Sequence, residues 1–281
     1  MQALNNIVDR INKIKSGIED PTALRCDMPN LNKILNGGFC KGNLYVVAGK
    51  ESTGKASFII SVICDIIHRR RADPLRVGLI TLNSSEERWV TRILSNLSGI
   101  VLETILRGWL LHAERQKIND MSQMNLFNKL EIATPGYMNL QNLIDTCSKW
   151  AFEKDVKIIF IDYLQLIAIE NMPDKDLKIF TICKALKKLS TDLAIPIVIT
   201  VPLKATKSPS SLKDLRKIGA IEPFADVIMF LSRIVYKPNV ENDNPEEAMI
   251  ISIQKNNTGQ LDSVRLRAIL NVQKIVEFDY V

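Results

Sequence analysis

The sequence predicts an α/β fold in which helices flank a mostly parallel sheet and antiparallel strands lie near the C-terminus. Short apolar runs that suit buried strands alternate along most of the chain with helical hydrophobic patterns. This alternation is typical of a parallel sheet covered on both faces. From about Met249 the helical patterns end, and three apolar runs follow closely, as in strands joined by hairpins. The 281 residues leave room for one large domain and a short appendage.

The appendage is predicted at residues 1–20, which have the pattern of one amphipathic helix. Its apolar side chains are three or four residues apart and share one face: Leu4, Ile7, Ile11, Ile14 and Ile18. Such a helix either packs on its own domain or docks on a neighbouring subunit, and the spacing leaves both alternatives open. We therefore divide the chain into a linker or docking helix, 1–20, and a main domain, 21–281.

The main domain contains eight apolar runs that we predict to be strands. They are 44–48, 77–82, 158–161, 195–201, 227–231, 249–253, 263–270 and 275–278. Helical faces lie between the first two runs, at 58–67, and before the fourth, at 177–193. Two polar segments, 204–213 and 239–247, are predicted to be mobile loops.

The composition excludes several classes of protein. Hydrophobic residues make up 46% and charged residues 24%, close to the average for globular domains, which argues against disorder and against a disulfide scaffold. The longest mainly apolar stretch, 58–67, is too short to span a bilayer. The N-terminal residues lack the pattern of a signal peptide. We therefore expect a cytoplasmic protein without a membrane-embedded part.

The charged and metal-binding residues narrow the choice further. The net charge of +6 permits a polyanionic partner without requiring one. The five cysteines show no close pairing, so no zinc site or Cys-x-x-Cys motif is predicted. With only two histidines, the sequence also argues against a Ser-His-Asp triad.

A phosphate-binding motif follows the first predicted strand. The run Gly49-Lys50-Glu51-Ser52-Thr53-Gly54-Lys55 matches Gly-x-x-x-x-Gly-Lys between a buried strand and an amphipathic helix. Glycines let the chain wrap a phosphate with its N–H groups pointing inward, and the lysine adds a positive charge. We predict a nucleotide-binding loop formed by Gly49, Glu51, Ser52, Thr53, Gly54, Lys55, Ala56 and Ser57.

One position departs from the motif. A Ser or Thr normally follows the lysine and offers a hydroxyl to Mg²⁺, but this chain has Ala56. Ser57 lies one residue on and points about 100° away around the helix. Phosphate can still be held by the loop amides and Lys55, whereas magnesium loses a direct ligand.

A second acidic element ends the predicted strand 158–161. Asp162 follows it, which places a carboxylate at the carboxyl edge of the sheet, where open α/β sheets bind ligands. There it would reach Mg²⁺ through water. The alternative is an aspartate that only caps the next helix. Its pairing with the phosphate loop favours the metal-binding role.

These features resemble those of RecA-like ATPases, and two stretches resemble DnaB-type replicative DNA helicases more narrowly. One is 161–167, Ile-Asp-Tyr-Leu-Gln-Leu-Ile, which contains Asp162 and Gln165 and looks like the family's Walker B segment. The other is 214–222, Asp-Leu-Arg-Lys-Ile-Gly-Ala-Ile-Glu, which resembles the family's DNA-binding loop. The resemblance runs from about Pro21 to the C-terminus.

The resemblance implies a RecA-like P-loop NTPase core that binds ATP and Mg²⁺ between the subunits of a hexameric ring and moves single-stranded DNA through its centre. It matches residues 1–20 to the linker helix that docks on the adjacent subunit, so it favours the docking alternative. On this comparison we expect the chain to hold the motor portion without the family's N-terminal helical domain.

Four positions depart from the family at catalytic sites. Asn83 stands where the family has a glutamate that activates water, and an amide cannot accept a proton at neutral pH. Pro202 stands at a sensor glutamine, and Asn256 at the trans-acting arginine, with Lys255 the nearby cation. Ala56 is the fourth. The resemblance gives catalytic positions at Asn83, Asp162, Gln165 and Lys255.

The DNA-contacting positions are better preserved. Arg216 and Gly219 match family positions that hold the DNA backbone, and Lys217 replaces an acidic residue. Cations on a flexible segment suit phosphate contact without base readout. A solvated basic loop is the alternative explanation.

Three hypotheses of function remain. The first is an ATP-dependent helicase in which Lys255 replaces the arginine and Glu86 or Glu87 replaces the base. The second is a catalytically inactive paralogue that joins or caps a helicase ring. The third is another RecA-like ATPase, against which 162–165 and 214–216 argue. We favour a DnaB-like protein that binds nucleotide and single-stranded DNA but hydrolyses ATP poorly.

Overall fold

A computed structural model describes residues 2–15, 23–70, 72–124, 126–170, 172–205, 209–234 and 247–278. The strands are β1 (Ala23–Leu24), β2 (Phe39–Cys40), β3 (Leu44–Lys50), β4 (Arg76–Thr81), β5 (Leu130–Ala133), β6 (Val156–Asp162), β7 (Ile197–Leu203), β8 (Val227–Ile234), β9 (Glu247–Asn256), β10 (Ser263–Ile269) and β11 (Lys274–Glu277). The helices are α1 (Gln2–Lys15), α2 (Pro29–Ile34), α3 (Lys55–Arg69), α4 (Glu86–Ser98), α5 (Leu102–Arg107), α6 (His112–Gln123), α7 (Leu140–Glu153), α8 (Lys175–Leu193) and α9 (Leu212–Arg216).

Nine strands form one sheet in the order β11-β10-β9-β8-β3-β7-β6-β4-β5. The six strands from β8 to β5 in this order run parallel to one another. The last three strands of the chain extend the β8 edge in antiparallel register. This arrangement confirms the predicted mostly parallel sheet with antiparallel C-terminal strands.

The sheet is covered by apolar side chains on both faces. Along β3, Tyr45 and Val47 join a core with α3 and α4, while Val46 and Ala48 join a second core with α7 and α8. Successive side chains of a strand point to opposite faces, so a strand buried on both sides must be apolar throughout. This is why the central strands appear in the sequence as continuous apolar runs rather than alternating ones.

All eight strands expected from the sequence are present, with ends that differ by a few residues. The edge strand β5 was not predicted, because it has only four residues and all are half-buried. In the segment 204–213, helix α9 begins at Leu212, and 206–208 lie outside the described residues, as do 239–246 of the other predicted loop. None of the helices in the described residues combines the length and the hydropathy needed to cross a bilayer.

The predicted N-terminal helix is present as α1, and residues 16–22, including Ile18, lie outside the described residues. Its stripe is exposed at Leu4, Ile7 and Ile11. Exposure of such an apolar stripe to water is energetically unfavourable.

The start of β3, which leads into the phosphate loop, is held by Asp226. The backbone N–H of Leu44 and the Lys187 ammonium both donate to Asp226 Oδ2 at 2.7 Å. Lys187 also donates to the carbonyl of Gly42 at 2.8 Å. A carboxylate with charge-assisted partners on α8 and β3 therefore joins the sheet to a covering helix just before the loop.

A second carboxylate, Asp65 on α3, is half-buried. Its Oδ2 accepts a hydrogen bond from the backbone N–H of Asp27 at 2.9 Å. Burial raises the pKa of Asp65 to about 7, and the charge of Asp27 adds to this effect, while the hydrogen bond from the Asp27 N–H and the charges of Lys274 and Arg69 act in the opposite direction. The folded protein therefore holds a proton here that the unfolded chain releases near pH 4.

This difference makes stability depend on pH. Between about pH 4 and pH 7 the folded state binds more protons than the unfolded state, so the free energy of unfolding should fall as pH rises through this range. Asp65→Asn should remove that part of the slope and raise stability at pH 8. Urea unfolding at pH 5 and pH 8 measures both effects, with Asp192→Asn on the exposed side of α8 as the control. An unchanged slope in Asp65→Asn would show that this carboxyl is already ionised in the folded protein.

Candidate nucleotide-binding site

The phosphate loop joins the end of β3 to the start of α3. Its tight path requires glycine at two places. A Cβ on Gly49 would lie 2.8 Å from the carbonyl oxygen of Leu231, and Gly54 has φ +96°. Thr53 closes the loop by donating its hydroxyl to the carbonyl of Lys50 at 2.9 Å. The loop thus brings the first, unpaired N–H groups of α3 to the carboxyl edge of the sheet, where an anion is favoured.

Lys55 is the first residue of α3 and folds over the loop. Its ammonium donates to the carbonyls of Gly49 at 2.8 Å and Lys50 at 2.7 Å. Burial lowers the pKa of Lys55 to about 8, and the charges of Asp162 and Glu51 oppose this effect. The lysine is therefore a partly desolvated cation poised beside the loop amides.

Asp162 ends β6 and is buried close to this cation. Its Oδ1 accepts a hydrogen bond from the hydroxyl of Thr200 on the neighbouring strand β7 at 2.6 Å. Burial raises the pKa of the Asp162 carboxyl, while the Thr200 hydrogen bond, Lys55 and Arg92 act to lower it. The parallel register of β3, β7 and β6 thus brings the loop and the acidic strand end to one edge.

An open pocket of about 440 Å³ lies at this edge. It is lined by Glu51, Ser52, Gly54, Lys55, Ala56, Ser57, Asn83, Arg92, Asp162, Tyr163, Pro202, Arg233, Leu270 and Gln273. Most of the loop residues predicted from the sequence are brought together here with Asn83 and Asp162. Glu86 and Glu87, in the first turn of α4, are not among these lining residues.

Asn83 and Pro202 both line the pocket, and both side chains are uncharged. Asn83 is exposed to the pocket, and its side-chain oxygen accepts a 3.3 Å hydrogen bond from Thr81. Pro202 pairs in register with Gly49. The amide of Gln165 donates to the carbonyl of Pro202 at 3.5 Å, and Gln165 is not among the pocket's lining residues. Neither Asn83 nor Pro202 can accept a proton from water.

The sequence did not single out Arg92 and Gln273 as site residues. Arg92, on α4, donates from Nε to the Gln273 side-chain oxygen at 2.7 Å and stacks 5.4 Å from the Trp89 ring centre. Burial lowers the pKa of Arg92, and Asp162 opposes this effect. Because Arg92 and Gln273 are far apart in the chain, their contact cannot be identified from the sequence. The position of Arg92 after the second predicted strand was the one feature that could have indicated a role at the site.

Lys255, Arg216 and Gly219 belong to a different cavity, of about 520 Å³. The Lys255 ammonium donates to the carbonyl of Glu222 at 2.7 Å. Asn256 does not face this cavity, since its amide donates to the carbonyls of Ile34 at 2.9 Å and Gln260 at 3.1 Å.

The segment predicted to contact DNA includes helix α9. Arg216 makes a two-point ion pair with Glu222, at 2.7 and 3.0 Å, and Lys217 pairs with Asp214 at 3.0 Å. Both basic side chains are exposed. Gly219 allows a close approach to α8, because a Cβ there would lie 2.8 Å from the Cβ of Ile179.

Comparison with solved structures agrees with this fold. One solved structure, described as the ATPase domain of its protein, matches with a TM-score of 0.82 and 21% identity over 98% of each chain. A DnaB-like replicative helicase, solved in a study of its interactions with primase, matches with a TM-score of 0.80 and 21% identity over 98% of this chain and 66% of its own. The fold and the phosphate loop therefore define a P-loop NTPase domain of the RecA-like class.

The family is defined by sequence. The chain belongs to the DnaB-like helicase C-terminal domain family, whose sequence model matches residues 23–277. A probable plasmid replicative DNA helicase of Chlamydia muridarum is 34% identical over 233 residues, 80% of this chain and 49% of its own. The replicative DNA helicase DnaB of Treponema pallidum is 28% identical over 267 residues, 93% of this chain and 58% of its own. The chain thus spans about half the length of the curated relatives it matches.

Proposed function

We propose that this chain is a DnaB-like helicase motor domain that binds ATP and single-stranded DNA during replication in the cytoplasm, and that hydrolyses ATP slowly. The observation that carries this proposal is the composition of the nucleotide pocket. Lys55 and the phosphate loop line this pocket, and Asn83 and Pro202, which line it as well, cannot accept a proton from water.

The expected loss in the rate of ATP hydrolysis can be estimated from the usual contributions of a general base and of a trans-acting arginine. A general base contributes roughly 10²- to 10⁴-fold to rate, and a trans-acting arginine about 10³- to 10⁵-fold. Asn83 removes the first, and Asn256, whose amide is engaged with Ile34 and Gln260, stands at the second position with Lys255 next to it in the chain. A lysine supplies charge without the planar fork of arginine. Binding depends on other groups and is retained.

The central experiment measures nucleotide affinity beside turnover, with and without single-stranded DNA. The proposal expects binding together with slow phosphate release in both conditions. A DNA-stimulated rate equal to that of active hexameric helicases would reject slow hydrolysis. A folded chain that binds no nucleotide would reject the function as a whole.

A catalytically inactive paralogue that joins a helicase ring is the second candidate, and the hydrogen bonds of the Asn256 side chain with Ile34, Thr258 and Gln260 favour it. The two candidates differ in one respect: a ring partner should alter the turnover of an active DnaB-type helicase when the two are mixed. Unchanged turnover and no co-migration of the two proteins would reject the paralogue hypothesis.

For single-stranded DNA, we propose the exposed pairs of α9 as the contact. Exposed ion pairs contribute little to stability, so DNA phosphates can replace Glu222 and Asp214 as partners of Arg216 and Lys217 at small cost. A short helix with basic residues in its last turn then follows the backbone without reading bases.

Replacing Arg216 and Lys217 together by Ala should weaken single-strand binding and reduce its salt dependence. Each lost phosphate contact should lower the slope of log affinity against log salt by about 0.7. Fluorescence anisotropy with a labelled oligonucleotide at several salt concentrations measures this. Lys149→Ala with Lys188→Ala, both away from α9, is the control with the same charge change. Equal slopes in the two double variants would reject the contact.

For the assembly, we propose that α1 docks on a second copy of the chain, as in a hexameric ring. Its exposed stripe needs an apolar surface, and one is available where α5 leads into α6. Leu106, Trp109 and Leu111 are 65%, 67% and 71% exposed there. Two exposed apolar surfaces on one chain support a contact between copies.

Replacing Leu4, Ile7 and Ile11 by Ser should shift the protein from oligomer to monomer, because the stripe would no longer bury apolar area. Sedimentation velocity measures the mass in solution. Replacing Asn5 and Asp9 by Ser tests whether helix propensity alone is responsible. An unchanged mass in the triple variant would contradict docking through this face.

A further inference from the structure

The hydroxyl of Ser57, one residue beyond the usual magnesium-binding position, has other partners in this chain. It donates to the side-chain oxygen of Gln273 at 3.2 Å and lies 3.4 Å from Arg92 Nη2. Gln273 is itself held in place, since its amide donates to the carbonyl of Leu270 at 2.6 Å and its carbonyl accepts from Asn96 at 2.8 Å. Ser57 is therefore part of a partly buried network that ends at Arg92.

The residues of the pocket fit Mg²⁺ poorly. Ala56 offers no oxygen and packs against the apolar core, and Ser57 is engaged with Gln273. Asp162 remains, but one of its oxygens accepts from Thr200. Within the described part of the chain, no group of three or more His, Cys, Asp or Glu is arranged to hold a metal ion. Glu51 also lines the pocket, so a cation that prefers oxygen ligands finds two carboxylates but no hydroxyl at the position after the lysine.

The positive charge of the pocket is supplied by side chains instead. Arg92 is a permanent cation with a planar fork of donors that suits phosphate. The Gln273 oxygen and the Trp89 ring hold its side chain in place at the pocket wall. Lys55 lies on the loop and supplies a second cation. Two such cations can neutralise phosphate charge that a bound metal ion neutralises elsewhere.

We propose that this pocket binds nucleoside triphosphates with little dependence on Mg²⁺, using Lys55 and Arg92 on the phosphates, and that Gln273 is the positioning residue for Arg92. The proposal rests on nucleotide binding as the proposed function. Beyond nucleotide binding itself, we infer that the pocket binds the metal-free nucleoside triphosphate as readily as its magnesium complex.

The test is the affinity for a fluorescent ATP analogue, measured by anisotropy in Mg²⁺ and in EDTA. The full chain should show affinities within about threefold of each other, a small free-energy difference. Ala56→Thr, which returns the missing hydroxyl, should tighten binding in Mg²⁺ by about tenfold and leave the value in EDTA unchanged. A loss of tenfold or more on chelation in the unaltered chain would overturn this inference alone. Absence of binding in both conditions would reject the proposed function with it.

A second variant tests Gln273. Its backbone is left-handed, with φ +57°, a conformation that asparagine tolerates, so Gln273→Asn shortens the side chain without straining the turn. It should weaken binding by about tenfold in EDTA. The double variant Gln273→Asn with Ala56→Thr should recover the lost nucleotide affinity in Mg²⁺ but not in EDTA. A general defect in folding would instead lower the affinity in both conditions. Unchanged affinity of Gln273→Asn in EDTA would reject the positioning role.

Discussion

Replacing Ala56 by Thr together with Asn83 by Glu is expected to raise ATP turnover by at least about 100-fold in the presence of single-stranded DNA. Asn83 is already exposed at the pocket wall, so a glutamate there can reach a water molecule in the site. Ala56 is half-buried in the first turn of α3, where threonine adds a hydroxyl to the lining. The pair restores a proton acceptor and an oxygen ligand in one step.

The measurement is steady-state phosphate release by the purified chain. The matched control is Ala56→Thr with Asn83→Gln, which has the length of glutamate but cannot accept a proton at neutral pH. It should stay at the level of the unaltered chain. Equal turnover in the two double variants would reject Asn83 as a cause of the slow hydrolysis that we propose. Loss of folding can be excluded by comparing thermal unfolding of both.

Replacing Lys55 by Ala is expected to lower ATP affinity by roughly 10- to 100-fold, because hydrogen bonds to a charged group contribute about 1.5–3 kcal/mol each. The fold should survive, since within the described residues the ammonium donates its hydrogen bonds to two loop carbonyls, those of Gly49 and Lys50. Titration of a fluorescent nucleotide measures the affinity, with Lys188→Ala on the exposed side of α8 as the control. Equal ATP affinities of Lys55→Ala and the unaltered chain would show that Lys55 does not contribute to nucleotide binding.

The same lysine should make binding depend on pH. Its pKa of about 8 means that the ammonium is charged at pH 7 and largely neutral at pH 9.5. Nucleotide affinity should therefore fall as pH rises through this range, because a neutral amine attracts phosphate weakly. In Lys55→Ala that decline should disappear. A decline that persists in the variant would assign it to another group.

Much of the fold was predictable because segments that are buried in the core consist mainly of apolar residues, which can be identified in the sequence. The central strands are covered on both faces, so they appear as continuous apolar runs, and α3 and α8 carry apolar faces at helical spacing. The edge strand β5 was not predictable in this way, because its half-buried residues have no continuous apolar pattern. Local burial, rather than length, decided which strands the sequence revealed.

The candidate site was predictable in part. The phosphate loop is one continuous segment, so its chemistry and the departure at Ala56 could be identified without a structure. Asp162 could be assigned to the same edge because parallel strands end together. Gln165 is next to Pro202 rather than among the lining residues, and Lys255 lies at the separate cavity with Arg216. Neither arrangement has a signal in the sequence.

By itself, the sequence determined the class of fold, the family and the phosphate loop with Ala56 after its lysine, because each of these depends on neighbours in the chain. Only the tertiary structure decided which distant residues meet beside that loop. Gln273 joins Ser57 and Arg92 from 216 and 181 positions away, through the turn between β10 and β11. Such a contact depends on how the C-terminal hairpin packs on α3 and α4. Packing brings distant residues together without leaving a periodic pattern in the sequence.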